Sequence, residues 1–520
     1  MTYTAPNGVK WSSTPLFQSN DMNNISEPAS LTALSRDNIK SRRDAFLLLF
    51  DEQIVQWNID ATNLRGRYTA SLYATALEIK NGTLSIHDVQ HDEATKEDII
   101  ELTMQTEDNL KRRSKWIDFT RDEILAIYGF YLLMGVKKEK NIEDAISLKG
   151  NRILSFPAAG IATSKNRLRI FTNAFGLTHP QRERDLHESM IAVSESYKND
   201  KIAKVRDIIN RLRDNYVKAY IPETDLVVDE QMVGYKGRTS LKQHMPNKPD
   251  KYGIKLWALV DRNQYTLNLQ VYAGQEGFRR VGSRMREVDQ AHRVVMDMVS
   301  VLDTSDRKHH ITTDRFFTSL KLADDLLKRN ITLTGTIREN KLEVPEELRK
   351  QRRNGESNRR TVNSVIRCVK PNKLVHILGS AHNHSETEVV GPKKIPQLND
   401  KYNKSKHFVD IVDNMLKKYT AQRPTMKWNF ALLIRLIDIT ALNAYKLVSN
   451  GINNSMGFKS LDIARVIDIS SYSNDFEPHQ VTGVSHKRVR CNYCPRKSGN
   501  KTRYKCKCCA RPACGKHGKL

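Results

Sequence analysis

The sequence predicts a multidomain α/β protein. We expect a mixed-sheet core that is interrupted by an inserted segment, an all-α part that flanks the core, and a short cysteine-rich module. Three observations lead to this prediction. The chain has 520 residues, whereas single domains usually hold about 100 to 200. Its apolar periodicity changes from helical to strand-like after Pro222. Six of its seven cysteines lie at or after Cys491.

The net charge indicates a polyanionic partner. Lys and Arg number 85 against 59 Asp and Glu, which gives a formal charge of +26 and a sequence pI of about 9.6. Such an excess favours nucleic acid as the partner. The longest apolar run, Ile124 to Met134, is far shorter than the roughly 20 residues that cross a bilayer. We therefore expect a protein without membrane segments, and we expect it in the nucleus.

The N-terminal third is predicted to be helical after a polar beginning. Residues 1–33 are rich in Ser, Thr, Asn and Pro, and we expect them to be disordered. Residues 34–222 show helical periodicity and are predicted to form the first part of a helical domain, to which the family resemblance described below adds a role in dimerisation and DNA binding. Thr120 and Glu123 have the spacing of a capping box, which predicts a helix that begins there.

The core is expected in residues 223–337. Three strand-like segments come first (LVVDEQM, IKLWALVDR and TLNLQVYAG), and the pattern then alternates helix, strand, helix, strand. An antiparallel meander followed by helix-linked strands is the order expected of an RNase H-like mixed sheet. Residues 338–401 break this rhythm and are predicted to be an insertion, after which the core resumes over 402–424.

The C-terminal part divides into three predicted segments. Helical periodicity returns over 425–470 and is assigned to the second part of the helical domain. Residues 471–485 form a polar linker, and 486–520 form the cysteine-rich module.

Four aspartates are candidates for metal-assisted phosphoryl chemistry. Asp229 and Asp314 each end an apolar strand-like segment, while Asp410 and Asp413 are three residues apart on a predicted helix. Two Mg²⁺ ions about 3.5–4 Å apart need clustered carboxylates as ligands. An aspartate at a strand end can equally be a turn residue, so the pattern alone leaves both interpretations open.

Several stretches of the sequence resemble piggyBac-family transposases. Residues 227–261 (VVDEQMVGYKGRTSLKQHMPNKPDKYGIKLWALVD) resemble the family signature, in which a strand with Asp-Glu-Gln precedes a Pro-Asn-Lys-Pro loop. The segments TTDRFFTSLKLADDL, FVDIVDNM and WNFALLIRLIDITALNAY resemble three further family segments. The resemblance extends over roughly residues 120 to 515.

This resemblance implies a function and a set of catalytic residues. The triad would be Asp229, Asp314 and Asp410, holding Mg²⁺ or Mn²⁺, with Asp413 as an accessory carboxylate. The reaction would be two-metal hydrolysis at transposon ends, strand transfer through DNA hairpins, and joining at TTAA targets. The implied partners are double-stranded DNA with terminal inverted repeats and a second copy of the chain, in a dimer or a larger synaptic complex.

One position departs from the family pattern. The family commonly has Gly-Gly before the Val-Asp of the third segment, where this chain has His407 and Phe408. Bulkier side chains here either hinder the close approach of DNA or are simply tolerated. A domesticated descendant that binds DNA or chromatin without cutting it is therefore the alternative function.

DNA contacts are expected at several basic or aromatic residues, although packing or solvated surface would explain each of them as well. Lys248 lies in the Pro-Asn-Lys-Pro loop, and Trp428 could stack on an unpaired base. The other candidates are Arg352, Arg353, Lys487, Arg488, Arg490, Arg496 and Lys497.

The cysteine-rich module is predicted to bind zinc. Cysteine and histidine pairs separated by two residues suit tetrahedral Zn²⁺. The resemblance implies a cross-brace in which the first and third pairs share one ion, which gives Cys491, Cys494, Cys514 and His517 as ligands. In the family, the second pair and a fourth cysteine pair share a second zinc, and this fourth pair is missing here. A second zinc would therefore have only Cys506 and Cys509 as ligands, with Cys508 as a further candidate.

Overall fold

The computed structural model describes residues 2–12, 28–91, 93–139, 142, 164–177, 201–246, 248–274, 289–349, 359–361, 364–370, 373–380, 389–390, 395–451, 481–490 and 501–506. The chain divides into two compact units, Met1–Val466 and Ile467–Leu520. The domain boundaries within the first unit stay predictions.

The described helices are α1 (Ala33–Asn38), α2 (Arg42–Leu49), α3 (Glu52–Lys80), α4 (Glu93–Thr103), α5 (Glu107–Arg113), α6 (Arg121–Lys137), α7 (Lys165–Ala174), α8 (Ala203–Ala219), α9 (Gln290–Val299), α10 (Leu320–Leu327), α11 (Glu346–Arg349), α12 (Gln397–Ser405), α13 (Phe408–Lys418) and α14 (Trp428–Gly451), with a 3₁₀ turn at Ile86–Asp88.

The described strands are β1 (Thr2–Thr4), β2 (Lys10–Ser12), β3 (Ser30–Leu31), β4 (Tyr220–Ile221), β5 (Asp225–Gly234), β6 (Lys242–His244), β7 (Tyr252–Asp261), β8 (Thr266–Val271), β9 (His309–Thr313), β10 (Ile331–Ile337), β11 (Arg359–Thr361), β12 (Ser364–Lys370), β13 (Lys373–Gly379), β14 (Val389–Val390), β15 (Ile395–Pro396), β16 (Val481–Arg490) and β17 (Lys501–Cys506).

A mixed sheet forms the centre of the first unit. Its strand order is β11-β12-β13-β10-β9-β5-β7, and both β6 and β8 pair with the free side of β7. Strand β9 runs parallel to β5 and to β10, whereas β5, β7 and β8 form an antiparallel meander. The succession of strands and helices predicted for residues 223–337 is therefore confirmed, with the short β6 as an addition.

The parallel pairing of β5 with β9 sets the place of two aspartates. Val228 is the partner of Thr313, and both strands run in the same direction. Asp229 and Asp314 follow these two residues directly, so they lie side by side at the end of β9. Neighbouring strands lie about 4.8 Å apart, which keeps the two positions close.

The segment predicted to be an insertion extends the sheet. Strand β13 pairs antiparallel with β10, and β12 and β11 follow outward. The backbone of these strands therefore continues the hydrogen-bond ladder beyond the strands predicted as core. The apolar runs of β12 (SVIRCVK) and β13 (KLVHILG) are short and lie between basic and polar stretches, and their pairing with β10 cannot be read from local sequence.

The beginning of the chain differs from the disorder expected for residues 1–33. Strands β1 and β2 form a hairpin, and the Trp11 indole is only 7% exposed. Trp11 Nε1 donates a hydrogen bond to the Glu343 carbonyl at 2.9 Å, and Asn7 N donates to the Leu342 carbonyl at 3.3 Å. Burial of one large aromatic side chain helps to offset the entropy of ordering this segment.

Helices dominate the region before the sheet and the region after α13. The predicted capping box is present at α6: Thr120 Oγ1 accepts from Glu123 N at 3.3 Å, and Glu123 Oε2 accepts from Thr120 N at 3.1 Å. Helix α14 is buried along most of its length and packs against α2, α8 and α6. None of the described helices is long and apolar enough to cross a membrane.

The second unit is described only by the backbone of β16 and β17, which pair as an antiparallel hairpin. Strand β16 begins at Val481, so residues 481–485 are strand rather than the linker that was expected. The predicted zinc ligands lie outside the described residues, except that the backbone of Cys506 ends β17.

Candidate active site

An open cavity of about 210 Å³ lies where β9 ends, beside the middle of β5. Strand β5 continues past Asp229 to Gly234, so this aspartate lies within its strand and not at the strand end that its apolar segment suggested. The cavity brings together Asp229, Asp314 and Asp410, which come from β5, from the residue after β9, and from the first turn of α13. The other residues lining it are Val227, Val228, Thr312, Thr313, Tyr402, Lys406 and His407. We call this cavity the carboxylate cleft. Three side chains that are distant in sequence thus share one solvent-accessible site.

Asp229 is the most buried of the three acids. Burial raises the pKa of its carboxyl to about 7, against the opposing effects of a hydrogen bond from the Glu230 backbone and of the Lys248 ammonium. The carboxyl group is therefore close to its titration midpoint at neutral pH. A further cation in the cleft would favour the ionised form.

Asp314 is held by its neighbours on one oxygen. Its Oδ1 accepts from Arg315 N at 2.6 Å and from Thr336 Oγ1 at 3.3 Å. The Asp314 carbonyl accepts from Phe317 N at 3.0 Å, which closes a turn directly after β9. These bonds orient the carboxylate and end on Oδ1, so Oδ2 is the oxygen available to a ligand.

Asp410 contacts an ammonium group. Lys248 Nζ lies 3.3 Å from Asp410 Oδ1 and donates to the Glu230 carbonyl at 3.0 Å. The Lys248 side chain is 17% exposed, whereas that of Asp410 is 51% exposed. The structure therefore places Lys248, predicted as a DNA contact, directly beside a predicted catalytic residue.

Asp413 lies on the same helix but is not among the residues that line the carboxylate cleft. It is buried at 4% exposure, and burial raises the pKa of its carboxyl against the nearby positive charge of Arg435. Arg435, on α14, donates from Nη2 to the Met232 carbonyl of β5 at 3.1 Å. Within the described residues, Asp413 Oδ1 and Arg435 Nε and Nη1 have no hydrogen-bond partner. Asp413 thus faces the interior.

The donor set of the cleft suits a hard divalent cation, because carboxylate oxygens are the ligands that Mg²⁺ and Mn²⁺ prefer. Asp229 in addition carries a desolvated carboxyl that a cation would stabilise as an anion. As the side chains stand, no three His, Cys, Asp or Glu residues in the described parts of the chain are grouped closely enough to hold an ion. Lys248 engages Oδ1 of Asp410, so a shared ion that binds this oxygen would have to replace that contact.

Three further residues of the cleft were not predicted as site residues. Tyr402 is 9% exposed; burial raises the pKa of its phenol, and Asp314 and Asp229 add to this rise. Lys406 Nζ lies 5.2 Å from the centre of the Tyr402 ring. His407 precedes α13 and makes no side-chain capping bond. Tyr402 and Lys406 are one helical turn apart just before the Asp410 segment, which is the signal that could have identified them.

The remaining predicted DNA contacts are tested little by the structure. Trp428 begins α14, is partly buried, and is not among the cleft-lining residues. Lys487, Arg488 and Arg490 lie in β16, of which only the backbone is described. Arg352, Arg353, Arg496, Lys497, Cys491, Cys494, Cys508, Cys509, Cys514 and His517 lie outside the described residues.

Comparison with known proteins gives three consistent findings. A family model described as Transposase IS4 matches residues 41–445, which include all four predicted catalytic aspartates. Two human proteins, PiggyBac transposable element-derived protein 3 and PiggyBac transposable element-derived protein 2, are each 28% identical over 268 residues. Each match covers 48% of this chain and 44% of the relative, so it spans less than half the length of either relative.

The fold has a counterpart among solved structures. The match is to the cryo-EM structure of a piggyBac transposase synaptic complex with hairpin DNA, with a TM-score of 0.64. It covers 94% of this chain and 98% of that chain at 24% sequence identity. At this identity the match shows the shared fold.

Proposed function

Because the chain belongs to the piggyBac-type transposase family, we propose that it is a DNA transposase that cuts and joins DNA at transposon ends. One observation carries this proposal: three acids from separate elements, Asp229, Asp314 and Asp410, line one cleft where β9 ends beside β5. The finer steps, which are hairpin formation, hairpin opening and integration at TTAA sites, are part of the same proposal.

The proposed substrate is double-stranded DNA. The formal charge of +26 favours a polyanion, because basic residues that neutralise phosphates release bound counterions. We further propose that the chain acts in the nucleus as a homodimer or a larger synaptic complex on terminal inverted repeats. The piggyBac transposase that shares this fold was solved as a synaptic complex with hairpin DNA, which supports this part of the proposal.

Asp229, Asp314 and Asp410 would hold Mg²⁺ or Mn²⁺, which would supply Lewis-acid activation of a water or hydroxyl nucleophile when bound. The chain's own residues prepare the site. Hydrogen bonds on Oδ1 orient Asp314, and the backbone pairing of β5 with β7 holds Asp229 within the sheet. Asp413 would assist as an accessory carboxylate from the buried side of α13, through its charge rather than from the cleft wall.

The other proposed sites extend the DNA-binding surface. Lys248, Trp428, Arg352 and Arg353 would contact DNA near the core, and Lys487, Arg488, Arg490, Arg496 and Lys497 would contact it from the C-terminal module. Zn²⁺ would be held there by Cys491, Cys494, Cys514 and His517, with Cys506 and Cys509 as partial ligands of a second ion. A bound zinc would supply folding free energy that so short a segment lacks.

A second function is favoured by one observation. His407 lines the carboxylate cleft directly before α13, where the resembling family commonly has glycine. An imidazole ring there takes up space beside Asp410 that a glycine would leave open to DNA. A chain that binds DNA or chromatin without cutting it would retain the fold and the charge while losing the reaction.

An excision assay distinguishes these functions. A reporter carrying the cognate transposon ends is combined with the wild type, with Asp314→Asn, and with Asp324→Asn, which removes an exposed carboxylate on α10. We expect Asp314→Asn to lower excision by on the order of 100-fold or more, since metal-ion stabilisation is worth several kcal/mol. Asp324→Asn should excise as the wild type does.

Two outcomes would contradict the transposase proposal. Equal excision by the wild type and Asp314→Asn would remove the catalytic role of that carboxylate. No excision by the wild type, together with specific retention of the end DNA in a gel-shift assay, would establish the second function instead.

A further inference from the structure

A cation of the chain itself contacts one acid of the proposed ion site. The Lys248 ammonium lies 3.3 Å from Asp410 Oδ1 and donates to the Glu230 carbonyl at 3.0 Å. The negative groups that act on this ammonium are Asp229, Asp410 and Asp413, which are three of the four predicted catalytic acids. A single lysine thus compensates the charge of acids that come from both β5 and α13.

The loop that carries Lys248 restricts where the ammonium can go. Lys248 N donates to the Met245 carbonyl at 3.2 Å, and Met245 N donates to the Lys251 carbonyl at 2.8 Å. Pro246 and Pro249 flank the lysine, and each fixes its own φ near −65°. The side chain is only 17% exposed. Its position therefore depends on a closed, stiff loop and differs from that of a mobile surface lysine.

We propose that Lys248 is the internal counter-ion of the carboxylate cleft. Its ammonium neutralises Asp410 in the absence of a divalent cation, and it thereby lowers the affinity of the cleft for such an ion. This inference rests on the proposed function and specifies the regulation of that same site. It adds a role to Lys248 beyond contact with DNA.

Charge competition gives the physical reason. The positive charge of Lys248 lowers the affinity of the cleft acids for a second cation by repulsion, and an ion that binds Oδ1 of Asp410 must in addition displace the ammonium. The same lysine also links two elements of the fold, because its ammonium contacts Asp410 on α13 and the Glu230 carbonyl on β5.

The test measures ion binding by the full chain in the absence of DNA, with Mn²⁺ as the probe and electron paramagnetic resonance as the readout of free ion. Lys248→Met removes the charge and keeps most of the apolar stem, while Lys248→Arg keeps the charge. Lys328→Met is the control, because it removes an ammonium that pairs with Asp325 at 2.7 Å, and neither of these residues lines the cleft. Thermal unfolding of each variant shows that it is folded.

We expect Lys248→Met to bind Mn²⁺ about tenfold more tightly than the wild type, since an opposite charge at this distance changes the proton affinity of a carboxylate by a similar factor. Lys248→Arg and Lys328→Met should stay within about twofold of the wild type, because the first keeps the charge beside Asp410 and the second removes a charge that contacts none of the cleft acids. If Lys248→Met does not fold, Lys248→Gln, which retains a donor for the Glu230 carbonyl, is expected to show the same direction.

Two results are distinguishable. In the first result, the wild type binds Mn²⁺ and Asp314→Asn weakens that binding, but the neutral Lys248 variants bind the ion as the wild type does or more weakly. The counter-ion role is then overturned, while the proposed ion site stands. If neither the wild type nor the neutral variants bind Mn²⁺, the ion site of the proposed function is itself wrong, and the counter-ion role is overturned with it.

Discussion

Gly335 shows how closely Asp314 depends on its neighbours. It lies on β10 opposite Thr313, the residue before Asp314. A Cβ atom at position 335 would lie 2.1 Å from Thr318 Oγ1 and 2.7 Å from the Thr313 carbonyl oxygen. We expect Gly335→Ala to lower the free energy of unfolding by about 1–3 kcal/mol, the usual cost of overpacking. Urea denaturation measures this change, and excision should fall as Asp314 moves.

A matched control is available at the end of β5. A Cβ atom on Gly234 would meet the Asp250 side chain at 3.1 Å, and that side chain can move. Gly234→Ala should therefore change the free energy of unfolding by less than about 1 kcal/mol, as is usual outside tight packing. A Gly335→Ala variant as stable as this control would show that β9 and β10 do not approach as closely as described.

At the residue scale, the sequence identifies acids more easily than their partners. Asp229 and Asp314 could be predicted as candidates because each ends a visible apolar segment in the sequence. The register between β5 and β9 then places them side by side. The contact between Lys248 and Asp410 could not, because it joins a loop and a helix separated by 162 residues of chain. Tyr402 was missed for a similar reason, since its proximity to Asp314 depends on how α12 packs.

At the element scale, the hairpin of β7 and β8 contains a buried acid with a raised pKa. Asp261 is fully buried where β7 ends. Its Oδ2 accepts from Tyr220 Oη at 2.6 Å, and its Oδ1 accepts from Tyr265 N at 2.9 Å. Burial nevertheless raises the pKa of this carboxyl to about 6 from an ordinary value of 3.8. The folded state therefore binds a proton more tightly here than the unfolded state does.

This difference predicts a pH dependence of stability. The favourable contribution of protonated Asp261 is fully present below about pH 4 and is lost as pH rises through about 6. Between pH 4 and 7 the free energy of unfolding of the wild type should therefore fall by up to about 3 kcal/mol relative to that of Asp261→Asn. Above pH 7 the difference between the two proteins should stay constant. Denaturant titrations of both proteins from pH 4 to 8 measure the difference. A difference that stays constant over the whole range would show that the carboxyl does not titrate as expected.

Elements with a clear period could be predicted, and those without one could not. The strands β5, β7, β8, β9 and β10 carry apolar runs bounded by turn residues, so their order was visible in the sequence. The hairpin of β1 and β2 is three residues long on each side, and it gains its order from contacts near Glu343. Strand β13 joins the sheet through backbone pairing with β10, and β12 and β11 follow outward; composition does not reveal this pairing.

At the scale of the whole molecule, the two units have different sources of stability. The first unit buries many large side chains, among them Trp257, Tyr128 and Phe171. The second, Ile467–Leu520, is short and strongly basic, and a segment of this length rarely folds on a hydrophobic core alone. Metal binding is the ordinary way for such a segment to gain folding free energy.

This reasoning predicts a defined zinc content. The purified full chain should contain about one zinc ion, because only one complete set of four ligands is predicted. Cys491→Ser should lose that ion. Cys368→Ser is the matched control, since this cysteine lies in β12 of the central sheet and should leave the zinc content unchanged. Atomic absorption after dialysis measures the metal, and two tightly held ions per chain would show that Cys506 and Cys509 belong to a second complete site.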